Sequence, residues 1–312
     1  MKRLLPTSYL HISYVILLIV LINTTSIAQN QFKESLKIKT NKQLHEIIDA
    51  SPAITGLTAI DLTSGESFGI NEDLVFPQAS AIKITILMEV YKQASLKKFA
   101  LTDLRAIDPH TAVGGSGILK DLPDASSLSI RNLCVLMLVL SDNTATNAII
   151  DMVGMNNINA TLQSLGFKNT RVQRKMIDTK ASGRGDENIS SPAEAAKILQ
   201  LLYKGEFIDK TTSAEILSMI AKKDREGSRI ATGIPANVPI VFKPGSLFGV
   251  STEWAIINLK DRPYAVAIME NYKVDGQAKQ VVEKVSETLY QYFWRIGNAT
   301  RYGTYLDPAL IK

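Results

Sequence analysis

The chain has 312 residues, 46% of them apolar, a net charge of +5 and one cysteine, Cys134. That length suits one large domain or two interleaved lobes with ample core, and the lone cysteine excludes an internal disulfide. The charge falls by Lys2 and Arg3 to +3 over residues 29–312, and no Lys/Arg cluster alternates with aromatics, so no nucleic-acid partner is expected.

The first 28 residues have the three parts of a secretory signal peptide: the basic Lys2 and Arg3, the apolar Tyr14 to Ile22, and Ser26-Ile27-Ala28 as a small-x-small cleavage site. Cleavage after Ala28 predicts an exported, periplasmic protein of 284 residues with no stable membrane anchor, expected as a monomer. An uncleaved N-terminal anchor is the alternative. Residues 30–50 then read as a polar, Lys-rich helix. Ala53 to Asp61 and Glu66 to Ile70 read as strands joined by the turn Thr63-Ser64-Gly65. A helix follows from about Ser80 to Gln93.

The middle, about 100–235, is predicted to be mostly helical with polar loops. Its apolar helix 131–140 holds Cys134, which reads as a small buried hydrophobe. Ser191-Pro192-Ala193-Glu194 opens another helix, with Ser as cap and Pro in the first turn. Val238 to Phe242, Trp254 to Leu259 and Tyr264 to Met269 are short apolar strands, the last two separated by the hairpin loop Lys260-Asp261-Arg262. Gln277 to Ile296 closes the chain as a helix. Strands at both ends and helices between them predict an α/β fold: an antiparallel sheet formed from both chain ends and flanked by helices, plus a mostly helical lobe. The α/β lobe takes about 29–75 and 236–312, and the helical lobe about 76–235.

Only His45 and His110 follow residue 28. There is no H-E-x-x-H, no Cys/His cluster, no G-x-S-x-G and no Walker loop, so zinc hydrolysis and a Ser-His-Asp triad are disfavoured and no cofactor or metal is implied. A hydrolase here needs another base. Ser80-Ala81-Ile82-Lys83 offers one, because residues three apart share a helix face and a lysine in a dry pocket loses proton affinity. Taken singly, the pattern also fits a helix-capping serine with a surface lysine, and Ser95-Leu96-Lys97-Lys98 matches it too. Ser141-Asp142-Asn143 fits an ordinary helix N-cap. Lys243-Pro244-Gly245-Ser246 fits a turn after a strand.

In this order and at these spacings, the three motifs resemble those of the class A β-lactamase and penicillin-binding serine hydrolase family, S-x-x-K, S-D-N and K-T-G. Phe76-Pro77-Gln78-Ala79-Ser80 and Arg131-Asn132-Leu133-Cys134 resemble the family's approaches to the first two motifs, and the likeness spans roughly residues 40–297. It implies a β-lactamase/transpeptidase-like fold and a serine hydrolase acting on a small-molecule β-lactam or a peptidoglycan-type peptide. Catalytic roles fall to Ser80 as nucleophile, Lys83 in its activation, Ser141 as proton relay and Lys243 holding Ser141 and the substrate carboxylate. Asn143, Gly245 and Ser246 line the substrate. The backbone N–H groups of Ser80 and Ser246 form the oxyanion hole, and Asp142 serves structure.

Two departures from the family pattern stand out. Pro244 replaces a hydroxyl residue. Met176, two residues past Arg174, occupies the place of a water-activating glutamate. Asp178, the nearest carboxylate, is left as a displaced base, a partner of Arg174, or a solvated acid. The resemblance therefore implies a β-lactamase first. The alternatives are a D-alanyl-D-alanine peptidase-like hydrolase with slow deacylation and a non-catalytic cell-wall peptide binder.

Overall fold

The computed structural model describes residues 31–274, 280–300 and 302–305. The signal peptide expected over 1–28, and the expected helix start at Gln277, lie outside them. In chain order the described elements are helix α1 (31–49), β1 (Ile54–Asp61), β2 (Ser67–Ile70), β3 (Phe76–Pro77), α2 (Lys83–Ser95), β4 (Leu104–Ile107), β5 (Ser126–Ser129), α3 (Ile130–Val139), α4 (Asn143–Val153), α5 (Met155–Ser164), α6 (Thr179–Gly183), β6 (Ile189–Ser190), α7 (Pro192–Tyr203), α8 (Lys210–Ile220), β7 (Ile240–Leu247), β8 (Val250–Ile257), β9 (Tyr264–Asn271) and α9 (Val281–Asn298).

The main sheet is antiparallel, in the order β2-β1-β9-β8-β7. Both ends of the chain therefore build it, as the apolar runs predict. It is buried on both faces, and the period-2 alternation of strand side chains explains how. Trp254 and Ile256 face a core shared with the middle of the chain, while Ala255 and Ile257 face the core made with α1 and α9. Helix α9 supplies Val282, Val285, Leu289, Tyr292 and Phe293 to that second core, a stripe at helical spacing. The Phe293 ring stacks on Tyr264 at 4.1 Å.

The β1–β2 turn forms because Asp61 accepts from the backbone N–H of Thr63 and Ser64, at 2.8 and 3.1 Å, and Gly65 takes φ +80°. Ser191 caps α7 by accepting from Glu194 N. Two features differ from the expectation. The middle of the chain also contains two short two-stranded pairs, β3–β6 and β4–β5. The strand holding Lys243 does not end there in a turn but runs on through Pro244, Gly245 and Ser246 to Leu247. β7 is an edge strand with β8 as its one neighbour, a position where a sheet accepts proline. No described helix is long and apolar enough to cross a membrane.

Candidate active site

Ser80 sits in a single turn of 3-10 helix, Ala79–Ile82, immediately before α2. That turn is pinned to the sheet by Gln78, which is fully buried. The Gln78 side chain accepts from Trp254 Nε1 at 2.9 Å and donates to Phe76 O at 2.8 Å, and the Gln78 backbone carbonyl accepts from Thr252 Oγ1 at 3.1 Å. Gly245 passes so close that a Cβ there would lie 2.4 Å from Gln78 O and 2.8 Å from Ser80 N, so only glycine lets the strand lie against the nucleophile's turn. Ser80 and Ser246 line one cavity of about 270 Å³, together with Asn143, Met176, Ile177 and Leu247.

The other two motifs converge beside it. Lys83, buried on the first turn of α2, donates to Ser141 O at 2.7 Å, Ser141 Oγ at 3.2 Å and Asn143 Oδ1 at 3.0 Å. Lys243, equally buried, donates to the same Ser141 Oγ at 3.1 Å and to Pro244 O at 2.9 Å. Asn143 Nδ2 donates to Gly114 O at 3.0 Å. Ser141 reaches both lysines from a left-handed backbone, φ +55°. Asp142 is structural, as expected: it caps α4 through Ala145 N at 2.8 Å and accepts from Ile118 N and Leu119 N. Ser95, the rival serine, lies at the far end of α2 with its hydroxyl on Lys92 O.

Burial drives the electrostatics. It lowers Lys83 from the usual lysine range to about 7, against the opposing pull of Asp142. Lys243 is held well below its ordinary value, first by burial and then by the nearby charges of Lys83 and Lys223, with Glu253 opposing. Ser141 is thus flanked by two buried lysines whose charged forms are both disfavoured by burial, an arrangement that suits proton transfer.

At the place where the family pattern has a water-activating glutamate, the loop presents Met176. The Asn147 side chain brackets Met176, accepting from its N–H at 2.8 Å and donating to its carbonyl at 3.1 Å, so the thioether stands at a fixed place on the wall shared with Ser80. Asp178 is not the partner of Arg174: its Oδ1 caps α6, accepting from Ala181 N at 2.9 Å, while the side chain is exposed to solvent and lines the same cavity as Ser80. The carboxylate paired with Arg174 is Glu187, at 2.7 Å, and Glu187 also accepts from Ser182 Oγ. Sequence reasoning missed Asn147, although it lies one helical turn after Asn143 on the same face of α4. It also missed Arg229, whose guanidinium donates to Ser251, directly across the strand pair from Ser246, and to Glu270 at 2.7 Å. No sequence signal marks that arginine.

Residues 39–293 match the model of the beta-lactamase enzyme family. The chain belongs to this family. Among curated β-lactamases it is 24% identical to the imipenem-hydrolyzing beta-lactamase of Enterobacter cloacae over 74% of this chain and 81% of that protein. To beta-lactamase SME-1 of Serratia marcescens it is 26% identical over 77% and 83%. Among solved structures, a β-lactamase from Sphaerobacter thermophilus superposes with a TM-score of 0.74 at 28% identity, over 82% of this chain and 97% of that one. A leucine-to-glutamate variant of PBP-A, solved as its acyl-enzyme with penicillin G, superposes with a TM-score of 0.75 at 25% identity, over 82% and 97%. The β-lactamase family supplies the fold class expected from the sequence, and the protein is a serine hydrolase of the class A β-lactamase type.

Proposed function

We propose that Ser80 is the residue acylated by β-lactam amides, and that the acyl-enzyme outlives the acylation step. The observation carrying the first half is the convergence of Lys83 and Lys243 on Ser141 beside the Ser80 turn. Ser80 Oγ attacks the carbonyl carbon. Its proton goes to Lys83 once that amine is free, and Ser141 passes a proton to the leaving nitrogen. The N–H groups of Ser80 and Ser246 hold the developing oxyanion. Lys243 holds the substrate carboxylate, and Asn143 and Gly245 shape the floor.

Met176 supports the second half, since a thioether takes no proton from water. The same observation favours, as a second reading, a D-alanyl-D-alanine peptidase-like hydrolase of peptidoglycan-type peptides, in which a penicillin is a slowly released inhibitor. Export through cleavage after Ala28 would put the protein in the periplasm, where such peptides and antibiotics are met, acting as a monomer.

Intact mass after mixing with penicillin G tests the reading. A transient adduct with released product supports a lactamase that confers antibiotic resistance, and a lasting adduct supports the peptidase-like reading. No adduct, or an adduct mapped to Ser95, overturns the assignment of Ser80.

A further inference from the structure

The Ser80 turn and α2 pack on one side of the main sheet, and α1 and α9 share the core on the other. That second side carries an aromatic face. Of the seven exposed aromatic residues among those described, four gather there: Phe32 on α1, Trp294 on α9, and Tyr302 and Tyr305 after it. The chain leaving α9 folds back on itself, with Ala299 bridged to Tyr305 and the Thr300 N–H donating to Thr304 O at 2.8 Å. The return sets Tyr305 beside Trp294, with ring centroids 5.2 Å apart. Between it and α1 lies a cavity of about 330 Å³, walled by Phe32, Leu36, Ile296, Ala299 and Tyr305.

Cations frame this apolar wall. Lys33 and Arg295 line the same cavity, and Lys37 and Lys39 follow on α1, Lys39 two turns after Phe32 on one line of the helix. Arg295 bonds a neutral partner, Gln291 Oε1, at 3.2 Å. The acids on this side are Glu34, Glu66, which is ion-paired with Lys33 at 2.7 Å, and Glu287, two turns before Trp294. The four cations outnumber them. Rings with an apolar body and a polar tip, set among basic side chains, are the residues that partition to the boundary between water and anionic lipid.

Two observations favour lipid over a protein partner. The residues of the face lie outside the span 39–293 that matches the family model, apart from Lys39 at its edge, so the face is an addition to the common fold. The apolar run Tyr14 to Ile22 also ends ten residues before Phe32. Ten residues reach at most about 36 Å, so as the proposed leader threads a bilayer this is the part of the fold held closest to it.

We propose that the α1–α9 face docks on an anionic lipid bilayer. Trp294, Tyr302 and Tyr305 lie at headgroup level, an acyl segment enters the cavity beside Phe32, and Lys39 and Arg295 meet the headgroup charges. The docking is peripheral and reversible, driven by apolar burial together with electrostatic attraction. Because the Ser80 turn packs across the sheet, the cleft stays open to solvent while the domain is docked.

The test uses protein without residues 1–28, the form that export is proposed to leave, so that the apolar leader cannot itself bind. It is sedimented with vesicles of phosphatidylglycerol and phosphatidylcholine in equal parts, and with phosphatidylcholine alone. Tryptophan emission gives a second reading: Trp254 is fully buried and Trp294 is exposed, so a blue shift on binding belongs to Trp294. Binding and a blue shift are expected with the anionic vesicles, and partitioning at least ~fivefold weaker with phosphatidylcholine alone or at about 0.5 M salt. Trp294→Phe should lose the shift and still sediment. Phe32→Ala with Tyr305→Ala, and separately Lys39→Glu with Arg295→Glu, should each weaken partitioning about tenfold or more and leave Tm within about 3 °C. Absence of binding to the anionic vesicles overturns the proposal. So does a blue shift that survives Trp294→Phe, or binding that both double variants retain. Self-association without lipid, abolished by Phe32→Ala with Tyr305→Ala, would make the face a contact between copies and overturn it too. None of these outcomes depends on which serine is acylated.

Discussion

Met176→Glu should turn a long-lived acyl-enzyme into a short-lived one. The backbone of Met176 is fixed by the Asn147 side chain, at 2.8 and 3.1 Å, and its own side chain lines the cavity that holds Ser80. A glutamate there would leave the same Cα and enter the same space, placing a carboxylate where the hydrolytic water must be deprotonated. One general base contributes ~10²–10⁴-fold, or about 3–5 kcal/mol of barrier. Met176 is 6% exposed, so the new carboxylate is largely desolvated, at a cost to stability of about 1–3 kcal/mol. At roughly 2–4 °C per kcal/mol that is a fall of several degrees in Tm. Intact-mass time courses after a brief penicillin pulse give the adduct lifetime, with Met176→Gln controlling for polarity and size. Asp178→Asn should leave the lifetime within about threefold, because Asp178 Oδ1 caps α6 and asparagine caps equally well; a sharp lengthening would instead make Asp178, on the wall of the same cavity, the displaced base. The reasoning fails if the parent clears its adduct as fast as Met176→Glu does, or if Met176→Gln accelerates clearance as much.

Three further outcomes are expected. Gly245→Ala forces a Cβ against Gln78 O and Ser80 N, so it should slow acylation by at least ~10²-fold and lower stability by about 1–3 kcal/mol; stopped-flow acylation and a thermal melt read both. Asn147→Ala leaves both backbone groups of Met176 without their partner, costing about 1–3 kcal/mol in thermal denaturation, while acylation stays within a few-fold because Ser80 and both lysines are untouched. Lys83→Met should cut acylation by ~10²–10⁴-fold and flatten the dependence of stability on pH. A lysine lowered to about 7 in the fold and near 10.4 when unfolded penalises the folded state fully below pH 7, on the order of 5 kcal/mol, and the penalty fades as pH rises toward 10.4. Denaturant melts should therefore show the parent gaining stability between about pH 7 and 9, and the variant gaining less.

How much of this was legible in the sequence depended on whether the signal was local. The sheet strands announce themselves because each alternates between two cores: Trp254 and Ile256 against Ala255 and Ile257. Ser191 before Pro192, and Asp142 before Asn143, mark helix starts because capping is a contact between near neighbours. The roles of Asn147, Glu187 and Arg229 were not legible, because each acts on a partner 13 to 41 residues away that only the folded chain brings near. The helix cap made by Asp178 was not legible for the same reason: nothing in its neighbours' identities showed that its Oδ1 would accept from Ala181 N.

Six residues other than glycine, asparagine and aspartate take left-handed φ values among the described residues: Lys97, Ile208 and Tyr272 away from the cleft, and three at it. Ala79, Ser141 and Ile177 all adopt left-handed φ values, +45°, +55° and +64°, although none is glycine, asparagine or aspartate. Such residues carry backbone strain of order 1–3 kcal/mol each. Ala79 directly precedes Ser80, Ser141 bridges the two lysines, and Ile177 follows Met176 on the wall of the same cavity. These turns set Ser80 itself after Ala79, Ser141 between the two lysines, and Met176 and Ile177 on the wall of the Ser80 cavity. The surroundings hold them there: Gln78 is locked to Trp254, Asn147 brackets Met176, and Lys83 bonds both the carbonyl and the hydroxyl of Ser141. Relaxing any of the three at the cavity would stabilise the protein at the expense of the site, which fits a cleft kept for use. Under the proposed reading, acylation is the step this cleft serves, and the Met176 wall is the place where it parts from rapid hydrolysis.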